Sequence, residues 1–294
     1  MLRHLQTVAV IARGTFTQLV RMKVFYFLAV FALLLFLVGL AFGQLSPEGE
    51  LKALKDVAFF VMASFANLMA IGATAVLIPR DLEDRTLYTI LCKPVPRWTY
   101  LVGKWLGVVC LIAASIMVMD LLSVATIKSR EAALVDQVVA DLIATGQIAD
   151  TAEDTLAQAR EIVARQGATW ALQGAVLGIL LKAAVLAAAA LLLSCIATSS
   201  LFTILAGACL LVIGDLQGLA RDFYLASQGG PAASTAAYIF SLIFPDLGTF
   251  NVIDAAIKGT GLTLAAVGKM LGMAAFYCAL YIGCANLLFA DKEF

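Results

Sequence analysis

Long apolar runs alternate with short charged intervals along this chain. The runs cover residues 24–42, 57–78, 100–124, 183–197 with its flanks, 201–219 and 270–289. A helix needs about 20 predominantly apolar residues to cross the hydrocarbon core of a bilayer. The pattern therefore predicts an all-α membrane protein with six transmembrane helices. The first run is longer than a signal-peptide core, and no A-x-A site follows it. It reads as a retained span.

The remaining stretches carry helical periods of their own. In residues 1–23, Leu5, Val8, Ile11, Ala12, Phe16, Leu19 and Val20 recur at helical spacing, with Arg3, Arg13, Gln18 and Arg21 between them. That is an interfacial, elbow-like amphipathic helix leading into the membrane domain, residues 24–294. Residues 129–167 predict a helical hairpin between the third and fourth spans. Leu134, Val135, Val138, Val139, Leu142 and Ile143 form its first stripe; Leu156, Ile162 and Val163 form its second. Such stripes read first as helices that extend the spans and pack on each other. A docking site for an extracytoplasmic protein is the alternative. Within residues 221–269, the apolar stretch 232–244 is bracketed by Gly229-Gly230-Pro231 and Pro245-Asp246. As a helix it would reach only about 20 Å, so it reads as re-entrant or interfacial rather than spanning.

Composition agrees with the pattern. Hydrophobic residues make up 62% of the 294, and the mean hydropathy is +0.97. A soluble domain of this length does not look like that. Basic residues set the orientation. Arg3, Arg13, Arg21 and Lys23 precede the first span, and Arg80, Arg85, Lys93, Arg97 and Lys104 crowd the second loop. The N-terminus and that loop are expected on the cytoplasmic side, and six spans return the C-terminus there. The hairpin then lies outside the cytoplasm. The balanced net charge carries no information for such a protein.

Several chemistries lack their residues. His4 is the only histidine and no CxxC occurs, so a dedicated metal site is not expected. No cysteine falls in a long outer loop, which argues against a disulfide framework. No GxxxxGK[ST], GxSxG or HExxH is present, so the chain is not expected to be an enzyme. Its basic residues are topological, not a nucleic-acid surface.

One charged interval has more structure than topology requires. In residues 80–97, Asp81, Glu83 and Asp84 come first, where a helix N-terminus favours them. Leu82, Leu87, Ile90 and Leu91 make an apolar stripe, Lys93 ends it, and Pro94 and Pro96 stop it. The pattern predicts a short amphipathic helix parallel to the membrane, suited to receive force from a soluble partner. The stretch RDLEDRTLYTILCKPVPRWTYLVGKWLG resembles the coupling-helix motif of type-2 ABC exporter permeases. It is most similar to the stand-alone permeases of gliding-motility and nitrous-oxide-reductase maturation transporters. The matching positions are Glu83, Asp84, Arg85, Thr86, Leu91, Lys93, Pro94, Arg97, Gly103 and Lys104. Phe244-Pro245-Asp246 to Phe250-Asn251, with residues 255–259, resembles the family's outer short-helix segment. Leu288-Phe289-Ala290-Asp291-Lys292 resembles its ending. Two departures stand out: Arg13-Gly14 where Arg-Glu is usual, and a 129–167 hairpin longer than the usual loop.

The resemblance implies a mechanism. Two permeases, identical or related, pair in the bacterial cytoplasmic membrane. Each coupling helix docks in a separate ATPase, which holds the ATP and Mg; the permease itself binds no cofactor. Closure of the ATPase dimer moves the helices and drives export. Two rival readings remain. One is a membrane scaffold or assembly factor, and the other an ion-coupled secondary transporter.

Three charges fall inside the apolar runs. Counting about 1.5 Å per residue, Lys182 lies roughly 24 Å from Thr198, Asp215 roughly 21 Å from Leu201 and Asp120 roughly 30 Å from Tyr100. Intramembrane ionisable groups pair or face a cavity. The depths predict an ion pair between Lys182 and Asp215, with Asp120 near outer water. Snorkelling of each group to the interface is the alternative.

Overall fold

The computed structural model describes residues 2–21, 30, 31, 33, 34, 37, 47–83, 96–144, 160, 170–197, 199–226, 244–257 and 263–291. Among them it is all-helical. The elements are α1 (Leu2–Val20), α2 (Pro47–Glu83), α3 (Arg97–Ala144), α4 (Trp170–Ile196), α5 (Ser200–Ala226), a 3-10 turn (Leu247–Phe250), α6 (Ile253–Ile257) and α7 (Leu264–Asp291). Five stretches are long and apolar enough to cross a membrane: Leu51–Leu77, Arg97–Glu131, Ala171–Ile196, Ser200–Gly218 and Leu264–Leu288. These make the chain a multi-pass membrane protein. The expected first span, 24–42, lies outside the described residues except at five helical positions. One of these, Phe31, is fully buried in the main core.

Helix α4 is the hub. It touches α2, α3, α5 and α7, and residues 183–190 are all buried. Six of those eight residues are alanine. In lipid, helices associate by close van der Waals packing rather than by expelling water. Alanine lets four neighbours approach one helix at once.

Helix α3 agrees with the reading in which the first stripe of residues 129–167 extends a span. Its 48 residues extend about 72 Å, well beyond the ~30 Å hydrocarbon core. The first arm of the expected 129–167 hairpin is thus the continuation of this helix, not a separate one. No Gly or Pro interrupts residues 108–144, so nothing breaks the backbone when the sequence turns polar. Leu134 and Val138 are buried in the same core as Leu51 and Leu54. Buried Lys55 lies there within electrostatic reach of Glu131. The second arm, apart from Arg160, lies outside the described residues.

Two other boundaries shift. Helix α2 passes through Pro79 and ends at Glu83 instead of stopping at Ile78. Proline inside a membrane helix is tolerated where neighbours re-satisfy the freed carbonyl. Helix α7 begins at Leu264, six residues before its apolar run. The re-entrant stretch 232–244 lies outside the described residues except Phe244. Beyond it the chain forms the 3-10 turn and α6.

Candidate functional site

Two regions carry the residues singled out by the sequence. The first is where α2 ends and α3 begins. Asp81 and Glu83 complete the last turn of α2, not the first turn of a new helix as the acidic pattern suggests. Asp84, Arg85, Thr86, Leu91, Lys93 and Pro94 lie outside the described residues, and with them the body of the expected 80–97 helix. The Pro96 carbonyl accepts a 2.9 Å hydrogen bond from the Thr99 amide. Arg97 is half-buried.

The opening turns of α3 are tightly held. Tyr100 and Leu101 are buried against Leu191 and Cys195 of α4 and Ala285 of α7. Lys104 is only 6% exposed. Its ammonium sits 5.8 Å from the centre of the Tyr100 ring, within cation–π range. Gly103 and Gly107 lie one turn apart and receive α1. A Cβ on Gly103 would stand 2.8 Å from Ile11 Cγ2. One on Gly107 would stand 2.6 Å from Thr15 Cβ and 2.8 Å from the Ala12 carbonyl. Such small-xxx-small spacing lets two backbones meet closely. Helix α1 is therefore keyed to α3, burying Val8, Thr15 and Leu19 and exposing Arg13, Gly14 and Thr17. Deeper in α3, the Trp105 indole N–H donates a 3.0 Å hydrogen bond to the Ala184 carbonyl. The first turns of α3 are thus in contact with α1, α4 and α7.

The second region is the polar seam of the bundle. Lys182 Nζ donates to Asp215 Oδ1 at 2.6 Å, with the side chains 13% and 43% exposed respectively. Asp120 instead accepts a 2.9 Å hydrogen bond from Gln173 Nε2, tying α3 to α4. Residues 245–252 wedge beside the ion pair. The Phe250 carbonyl would lie 2.6 Å from a Cβ on Gly178, one turn before Lys182. Leu247 Cδ1 would lie 2.6 Å from a Cβ on Gly214, next to Asp215. The Asp246 carboxylate approaches Gly218, one turn further along α5.

The glycine notches and the Trp105 bond were missed in the sequence. The Gly103–Gly107 spacing is a weak signal that could have found the first notch. Nothing local marks Gly178 or Gly214, because their partners are distant in the chain. Among the described residues, no three His, Cys, Asp or Glu side chains converge as a metal site would require. Cys110, Cys195, Cys209, Cys278 and Cys284 are free thiols. No protein-family model and no curated protein matches this chain.

Proposed function

We propose that this chain is the permease subunit of an exporter driven by a separate ATPase, of the type-2 ABC class. The observation that carries the reading is the segment RDLEDRTLYTILCKPVPRWTYLVGK, which runs from the end of α2 into the start of α3. Residues 84–95 of that segment are the proposed contact with the ATPase. ATP and Mg belong to the partner. The close keying of α3 to α1, α4 and α7 supports the reading, because a push delivered at Arg97 is not dissipated locally. The basic residues of the N-terminus and of this segment support cytoplasmic termini in a bacterial inner membrane.

A second copy, or a related permease, completes the proposed pathway. Helix α5 exposes Leu201, Leu205, Val212 and Leu216, and among them the partly exposed carboxylate of Asp215. A carboxylate is costly against lipid, so this face suits a protein partner or a water-filled path.

Co-purification tests the proposal. The permease carrying Glu83→Lys with Asp84→Lys should lose its ATPase partner, or lose the coupling of hydrolysis to transport. Unchanged pull-down together with unchanged coupled hydrolysis would overturn it. The Lys182–Asp215 pair favours a second reading, ion-coupled transport. Uptake or export driven by a proton gradient in vesicles holding this chain alone would establish that instead.

A further inference from the structure

The chain is anchored differently at the end of α2 and at the start of α3. On the α3 side no proline follows Pro96 as far as Ala144. The first turns there are gripped: Tyr100 and Leu101 are buried against α4 and α7, and α1 fills the notches at Gly103 and Gly107. On the α2 side the helix runs through Pro79 for one more turn, to Glu83.

Pro79 weakens that turn. It has no N–H to donate to the Ala75 carbonyl, and its ring crowds that carbonyl, so helices bend at such a residue. Thr74 Oγ1, one residue before Ala75, is buried and has no hydrogen-bond partner among the described residues. Thr15, Thr17 and Thr126 instead each donate to a carbonyl one turn back in their own helices. The turn that leads into Pro79 therefore has an incomplete set of hydrogen bonds inside the core.

The body of α2 is clamped. Ala66, Ala70, Ala73, Ala75 and Leu77 are buried. A Cβ on Gly207 of α5 would stand 2.8 Å from Ile71 Cγ2. Hinges form where a few residues at the end of an element absorb a backbone change beside a rigid body.

We propose that Pro79 is a hinge on which the last turn of α2, residues 79–83, swings against the clamped body of the helix. The role of this hinge rests on the proposed docking of residues 84–95 on an ATPase. A displacement there enters the bundle through α3, while α2 bends at its end and its body stays in place. Helix α2 is the tether and α3 the driven helix.

Amide hydrogen exchange reads the hinge directly. In the full-length permease alone, Pro79→Ala restores an N–H for the Ala75 carbonyl, and residues 80–83 should exchange about tenfold more slowly. Gly72→Ala lies two turns earlier, with nothing within 4 Å of its added Cβ, and should leave residues 80–83 unchanged. No slowing by Pro79→Ala, or equal slowing by both substitutions, would overturn the hinge. In the complex with the ATPase, ATP should change exchange in residues 80–83 and not in residues 66–77. Pro79→Ala should keep the ATPase bound and carry the change into residues 66–77. A change in residues 66–77 of the unsubstituted complex would overturn the role assigned to Pro79. Absence of any co-purifying ATPase would overturn the docking and with it that role, while exchange in the permease alone still decides whether the hinge exists.

Discussion

Lys182 and Asp215 meet at 2.6 Å between α4 and α5, within two stretches apolar enough to cross a membrane. Each is one residue or one turn from a glycine that seats the 245–252 segment. The ion pair and the two notches therefore form one joint of three pieces. Removing one charge strands the other, which costs more than removing both. Lys182→Ala should lower the melting temperature in detergent, and Lys182→Ala combined with Asp215→Ala should recover part of the loss. Asp215 is 43% exposed, so the single change should cost about 1–2 kcal/mol, less than the roughly 3–5 kcal/mol of a fully buried pair. Additive shifts in a thermal-denaturation cycle would remove the pair from the energetics.

The α1–α3 seam gives a contrast between two glycines. At Gly107 a methyl group has no room, and Gly107→Ala should destabilise by about 1–3 kcal/mol, as overpacking does. At Gly14, in the exposed middle of α1, nothing lies within 4 Å of an added Cβ. Gly14→Ala should stabilise by roughly 0.5–1 kcal/mol through helix propensity alone. Chemical denaturation of both variants checks the sign of each.

Trp105→Phe deletes the donor to the Ala184 carbonyl and also removes the five-membered part of the indole, so the hydrogen bond and packing against the core are lost together. The hydrogen bond alone is worth about 0.5–1.5 kcal/mol, so the loss measured by thermal denaturation should exceed that range. A loss within it would mean that the indole packs little at this position.

Topology can be read at Lys128, an exposed position where α3 leaves the apolar part of the bundle. With the native cysteines replaced, Lys128→Cys should react with a membrane-impermeant maleimide in spheroplasts. Labelling only after lysis would reverse the orientation set by the basic residues.

Much of the helix count was legible in the sequence, because membrane thickness ties span length to a run of apolar residues. The stripe of α1 was legible too: Val8 and Leu19 are buried where the 3.6-residue period placed them. Depth counting brought Lys182 and Asp215 to one level. What stayed hidden is contact between segments far apart in the chain. The fit of Gly178 to the Phe250 carbonyl depends on backbone placement, which no local period encodes. The continuity of α3 was legible as well. Polarity rises after Val124, yet helix formers such as Glu131, Ala132 and Ala133 keep the backbone helical, and the stripe from Leu134 to Ile143 reads as an extension of the span.

Because α3 is unbroken from Arg97 to Ala144, it has the form of a lever. The segment that begins it and the tip that ends it share one rigid rod. Tilting a rod of about 72 Å by 5° displaces its far end by roughly 6 Å. In the proposed exporter, a tilt imposed at one face of the membrane would reach the other face through this single helix, with no relay of side chains along the way.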